Sequence, residues 1–186
     1  MRACYQFREQ DVLEHGLAVT RAFEGLRQAL ETGTQPEGWR LPSWLLEPMT
    51  RTRFLDALLP AEQLYWYQLF HDCGKPMCRR IDEEGRQHFP GHAEASERQW
   101  LECGGSPEIG RLIRLDMAMH TASAEEMTLL CQLPEAASLY LTALAEIHAN
   151  APMFGGFDST SFKMKAKHLD RRGKLLAAKL MPEPHA

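Results

Sequence analysis

Residues 61–72, Ala-Glu-Gln-Leu-Tyr-Trp-Tyr-Gln-Leu-Phe-His-Asp, are apolar nearly all round and end on a histidine beside an aspartate. A helix of that composition belongs at the buried centre of a bundle rather than on its rim. Pro60 suits its first turn, and Gly74 with Pro76 stops it. The rest of the chain supplies helices to surround it. Residues 11–31 place Val12, His15, Val19, Ala22, Phe23, Leu26 and Leu30 at three- and four-residue steps. Asp11 with Glu14 forms a capping-box pattern at the start. Further helices are expected over 92–103, closed by Gly104-Gly105, and over 107–120. A short one opens on the capping box Ser123-x-x-Glu126, and another runs from Pro134 to about Asn150. The last spans about 160–180, with Phe162, Ala166, Leu169, Leu176 and Leu180 on one face. Residues 31–43, rich in Gly, Pro and Thr, read as a loop pinned down by Trp39 and Trp44. A polar hairpin-like segment has Asp82-Glu83-Glu84-Gly85 at its tip. No alternating strand pattern, repeat or low-complexity tract is present. The expected architecture is all-α: a single domain over 1–186, with its core over about 11–150 and a basic C-terminal helix over about 160–180.

Composition narrows the function classes. At 186 residues and 44% hydrophobic content the chain suits one domain of roughly 150 residues with an appendage. Without an 18-residue apolar run, a transmembrane helix is not expected. The N-terminus lacks the apolar stretch of a signal peptide. Five cysteines, an odd number, read as reduced thiols, so the expected location is cytoplasmic. Cys73 and Cys78 have no matching second pair, which argues against a structural zinc ribbon. A Gly-rich phosphate loop of the Lys-Ser/Thr type is missing, which argues against a kinase or ATPase. Met117, Met119 and Met127 suit gap-filling in a core. The net charge of −4 gives no whole-chain reason to expect nucleic acid.

Chemistry enters with the eight histidines. Adjacent side chains on a helix diverge by about 100°, so His71 and Asp72 reach a common ion only where the helix is ending. An imidazole with a carboxylate suits a borderline or hard divalent ion. His15 lies on the apolar stripe of the first helix and should point inward. His92 begins a helix after Phe-Pro-Gly. His120 ends another, with Asp116 one turn earlier on the same face. Glu146 sits in an apolar helix, where a carboxylate needs a partner.

These residues form a pattern. Val-Leu-Glu-His15-Gly-Leu-Ala-Val, Leu-Phe-His71-Asp72-Cys-Gly-Lys75-Pro and His88-Phe-Pro-Gly-His92-Ala-Glu-Ala resemble the HD superfamily of metal-dependent phosphohydrolases. The likeness is most to the HD domain of some bacterial tRNA nucleotidyltransferases. It continues weakly through Leu-Asp-Met-Ala-Met-His120 and Leu-Ala-Glu146-Ile-His148-Ala, and covers about 11–150. It implies an HD-type helical bundle in which His15, His71 and Asp72 are metal ligands. The family's last ligand, usually Asp, would here be Glu146, with Asp116 and Asp158 as fallbacks. His92 and His120 match the histidines that build a second metal site in some members. Where they do not ligate, the resemblance gives them a catalytic role as proton donor or phosphate-binding cation, and Lys75 would face a substrate phosphate. Implied are one or two divalent ions, with Mn, Ni, Co, Fe or Zn fitting mixed His and carboxylate ligation better than Mg. The implied activity is hydrolysis of phosphomonoesters or phosphodiesters of nucleotides or RNA ends by metal-activated water, including 2′,3′-cyclic phosphodiesterase or phosphatase activity. A deoxynucleotide phosphohydrolase and a degenerate domain that binds nucleotide or a protein partner are the alternatives.

The C-terminal segment bears on substrate. From Phe162 to Leu180, Lys163, Lys165, Lys167, Arg171, Arg172, Lys174 and Lys179 face one acid, Asp170. That excess suits a nucleotide or RNA-end phosphate, with Lys163, Lys167 and Arg171 as candidate contacts, or else forms the solvent face of an amphipathic helix.

Overall fold

The protein is described here from a computed structural model, over residues 1–7 and 10–181. It is all-α, with two minimal antiparallel strand pairs. Its helices fall into two compact units, each assembled from two stretches of chain: Met1–Thr20 with Pro60–Met117, and Arg21–Leu59 with Ala118 onward. One helix, α1 (Val12–Thr32), runs from the first unit into the second.

In the first unit, β1 (Tyr5–Phe7) pairs with β2 (Gln10–Asp11) just ahead of α1. The Asp11–Glu14 capping box forms as expected: the Glu14 amide donates to Asp11 Oδ1 at 2.7 Å, and the Asp11 amide to Glu14 Oε2 at 3.0 Å. The unit continues through α3 (Ala61–Phe70), the single turn α4 (Lys75–Cys78), and a hairpin of β3 (Arg80–Ile81) and β4 (Gln87–His88). It ends with α5 (His92–Glu102) and α6 (Pro107–Arg114). Helix α6 packs against both α3 and α5. The core they share includes Val12, Val19, Leu64, Tyr67, Leu69, Ile109, Leu112 and Ile113.

Two expectations fail here. Helix α3 is not buried all round, since Tyr65 is 45% and Trp66 36% exposed. Its outer side is instead a run of rings covering one another: Tyr65 on Trp66, Trp66 on Phe70, and Phe70 on Trp100, with centroids 5.2–5.9 Å apart. The single helix expected over 107–120 is broken after Arg114. The break lets Asp116 turn inward, where it accepts a 2.7 Å hydrogen bond from the Tyr67 phenol.

The second unit holds α2 (Pro48–Asp56), α7 (Ala118–Thr121), α8 (Ala124–Leu130), α9 (Ala136–Ala149) and α10 (Thr160–Leu180). Sequence periodicity did not reveal α2, whose polar stretch Pro-Met-Thr-Arg-Thr-Arg buries only Thr50 before Phe54. The helix surrounded on all sides is α9: from Ala136 to His148 every residue except Glu146 is buried. Its alanines let α7 and α10 pack against it. Ser123 and Ser159 cap α8 and α10. Both loop tryptophans are anchored as expected. Trp44 donates to Asp170 at 2.8 Å, and Trp39 stacks on His148 at 4.4 Å. Arg172 departs from the basic face of α10 and donates to the carbonyls of Ala118, the first residue of α7, and Ala122, just past its end.

His148, among Trp39, Phe157 and Phe162, donates Nδ1–H to the Leu144 carbonyl. Burial holds its pKa below the ordinary value. The unfolded chain therefore binds a proton that the folded chain refuses, so stability is complete above about pH 6.5 and falls as pH drops toward the folded pKa. Denaturant titrations at stepped pH should show a slope of up to ~1.4 kcal/mol per pH unit in that window. The slope should flatten in His148→Phe, and equal slopes in the two proteins would remove His148 as its cause. Among the described residues, no helix is long and apolar enough to cross a membrane. All five cysteines are free thiols.

Candidate metal centre

The site lies in the first unit, where four short segments deliver polar side chains to one carboxylate. His15 comes from the buried face of α1. It reaches the end of α3 because the next residue is glycine: a Cβ on Gly16 would lie 2.3 Å from the Leu69 carbonyl oxygen. Helix α3 stops at Phe70, and the turn that follows carries His71 and Asp72, each 1% exposed. Gly74 closes that turn in ordinary right-handed geometry. Its lack of a side chain serves packing, because a Cβ there would sit 2.3 Å from the Ser96 nitrogen on α5. The Gly74 amide donates to Ser96 Oγ at 2.9 Å, fixing the turn against α5. Gly91, at φ 68°, makes the left-handed step that places His92 at the first position of α5.

The three imidazoles converge on Asp72. Nε2 of His15 and of His71 lie 3.5 and 3.3 Å from Asp72 Oδ2, and Nε2 of His92 lies 3.6 Å from Oδ1. The rings of His15 and His71 meet edge-on at 5.1 Å. His15, His71 and Asp72 offer one ligand atom each, all within 4.8 Å of one another. Two of the rings are oriented from behind, with Nδ1 of His71 against the Gln68 carbonyl at 2.8 Å and Nδ1 of His92 against that of Phe89 at 3.0 Å. A neutral ring donating Nδ1–H presents an Nε2 lone pair, the arrangement that supports metal-ligating histidines. Lone pairs directed at a carboxylate call for positive charge between them, so the donor set fits a divalent ion.

Positive charge is already supplied on one side. Lys75 Nζ lies 2.5 Å from Asp72 Oδ2 and 5.4 Å from the centre of the Phe89 ring. Burial works against an ionised Asp72, but the Lys75 ammonium beside it outweighs that and holds the carboxyl well below its usual range. Cys73 stays outside the ligand set. Burial pushes its thiol up to about 11, and Sγ donates to the Ser96 carbonyl.

The other expected ligands have partners of their own. In the second unit His120 Nε2 lies 3.3 Å from Glu146 Oε2, and Asn150 donates to Glu146 Oε1 at 3.4 Å. Glu146 thus has the polar partners that a half-buried carboxylate needs. Asp116 is held by Tyr67 in the first unit. Asp158 is an exposed acid between Arg40 and Lys163, at 2.7 and 3.7 Å. Lys163, Lys167 and Arg171 lie on the exposed side of α10.

Several positioning residues escaped the sequence reading. Gly16 is a packing requirement that only the neighbouring Leu69 backbone reveals. Ser96 and Gln68 hold the turn and His71, and Phe89 holds His92. The one signal available for Gly16 was its place directly after an inward-facing histidine. Among family models, curated proteins and solved structures, none matches this chain.

Proposed function

We propose that this chain is a metal-dependent phosphohydrolase cleaving phosphomonoester or phosphodiester bonds of nucleotides or RNA ends. The observation that carries this reading is the convergence of three imidazole Nε2 atoms on the buried carboxylate of Asp72. His15, His71 and Asp72 would hold the ion, with His92 as a further donor. A divalent ion there supplies Lewis-acid polarisation of a phosphoryl group. The remaining groups suit that task. Lys75 provides an ammonium for a phosphoryl oxygen. Where it does not ligate the ion, a protonated His92, 17% exposed and held by the Phe89 carbonyl, would give a proton to a leaving oxygen. As the HD resemblance implies, Mn, Ni, Co, Fe or Zn would load the site. On the first unit's side, a second ion would draw on His92.

Chelator-stripped protein, reloaded with each of these metals and with Mg, tests the reading on an aryl phosphate and a 2′,3′-cyclic nucleotide. Stoichiometric uptake with metal-dependent turnover is expected. Uptake without turnover of any phosphoester would favour the second reading, a domain that binds nucleotide or a partner. The 2.5 Å contact of Lys75 with Asp72 is the observation on that side, because an ammonium on Oδ2 competes with a metal for it.

That competition has a measurable consequence. In Lys75→Met, Asp72 loses its ammonium partner, so affinity for Mn should rise by about tenfold while KM for the aryl phosphate rises as well. Calorimetry and steady-state kinetics on the same sample separate the two effects. Unchanged metal affinity would mean that Lys75 does not share the carboxylate with the ion.

A further inference from the structure

A concavity of about 620 Å³ opens on the first unit beside the hairpin, lined by Arg80, Ile81, Asp82, His88, Phe89 and Pro90. Its size falls in the range of small-molecule sites. Its walls are of two kinds. Ile81, 59% exposed, lies with Phe89 and Pro90 as an apolar surface, and Arg80 adds a guanidinium. The polar part of the lining is braced: Asp82 accepts from His88 at 2.7 Å and from the Arg86 amide and guanidinium at 2.8 and 2.9 Å. The hairpin is thus held as a shelf rather than left as a loose loop.

Phe89 belongs to this concavity and to the metal centre alike. Its carbonyl orients His92, and its ring lies under Lys75 Nζ, which in turn touches Asp72. A phosphate bound by Lys75 would lie beside Phe89, which lines the concavity together with Ile81. From these contacts we infer that the concavity between Arg80, Ile81 and Phe89 is a nucleobase site, which receives the base of a nucleoside phosphate whose phosphate sits at Lys75. The inference rests on the reading of the cluster as a phosphoester site. A base suits the walls because it is planar, stacks on an aromatic ring or a guanidinium, and carries edge groups for the polar Asp82–His88 wall. A bare sugar phosphate has no planar face to stack on Phe89.

The test is a titration of the full chain, with isoleucine methyl groups labelled, using adenosine 5′-monophosphate, adenosine and ribose 5-phosphate. Adenosine and its monophosphate should shift the Ile81 δ-methyl resonance, and ribose 5-phosphate should leave it in place. The Phe89→Leu variant, which keeps an apolar wall and removes the ring, should bind the monophosphate about tenfold more weakly. In Ile81→Ser the preference for a nucleoside phosphate over glycerol phosphate should drop by a similar factor. Ile81 is exposed and outside the ligand cluster, so this change keeps the fold. No Ile81 shift with adenosine or its monophosphate, or an equal shift with ribose 5-phosphate, overturns the base site. Because the titration needs neither metal nor turnover, its result is independent of whether any phosphoester is hydrolysed.

Discussion

Asp72→Asn should lower divalent-metal affinity by at least about 100-fold and take phosphoesterase turnover down with it. Loss of an outer partner of a ligand costs 10–100-fold, and this change removes the charge on which three imidazoles and a lysine converge. Asparagine keeps the volume, so the cavity is unchanged and the loss is electrostatic. The substitution also removes the carboxylate charge at 2.5 Å from the Lys75 ammonium, which is 12% exposed. Stability of the metal-free protein should therefore fall by about 1–3 kcal/mol. Adding Lys75→Met to Asp72→Asn should recover stability but not metal binding, which separates folding from ligation. Calorimetric titration with Mn and Ni, beside thermal melts of the four proteins, gives the full comparison. Wild-type metal affinity in Asp72→Asn would remove this cluster as the metal centre and the proposed function with it.

Gly16→Ala is the second large effect, and its sign is opposite to the usual one. In a helix interior alanine is favoured over glycine by about 1 kcal/mol. At position 16 the added Cβ meets backbone, with the Leu69 oxygen at 2.3 Å, its carbonyl carbon at 3.0 Å and its Cα at 3.1 Å. No side-chain rotation relieves that overlap, so α1 or the end of α3 must shift. Destabilisation of about 2–4 kcal/mol is expected. Because His15 and His71 flank the contact, metal affinity should fall as well. Gly25→Ala on the same helix is the control, since a Cβ there meets only the Trp39 ring at 3.7 Å and Pro36 at 4.0 Å. It should be neutral or slightly stabilising. Equal effects of the two changes in denaturant melts would show that the Gly16 contact carries no strain.

What could be read from the residues follows from how local the cause is. The capping boxes at Asp11 and Ser123 are set by residues three apart, and both form. His15 faces inward because the 3.6-residue stripe dictates it, and His71 and Asp72 share a site because the helix ends beneath them. Burial of a whole helix depends on its neighbours. The apolar segment 61–70 is buried on one side, while α9, with its smaller residues, takes the centre of its own unit. The break between α6 and α7 was invisible because the Tyr67–Asp116 hydrogen bond that goes with it joins residues far apart in sequence. Arg172 looked like its basic neighbours until its carbonyl partners in and just past α7 were in view.

The interleaved course of the chain has a consequence for biosynthesis. His15 emerges from the ribosome in the first stretch of its unit, and His71, Asp72, Lys75 and His92 follow only after residues 21–59, which belong to the other unit. Those intervening residues include Leu26, Ala29, Leu30, Leu45 and Phe54, all buried in the finished protein. Their own unit is completed only by segments from Ala118 onward. At about 5–20 residues per second, this apolar stretch stays without its covering helices for several seconds of translation. The residues that converge on Asp72 are therefore all present only at a late stage, after both halves of the first unit have been made.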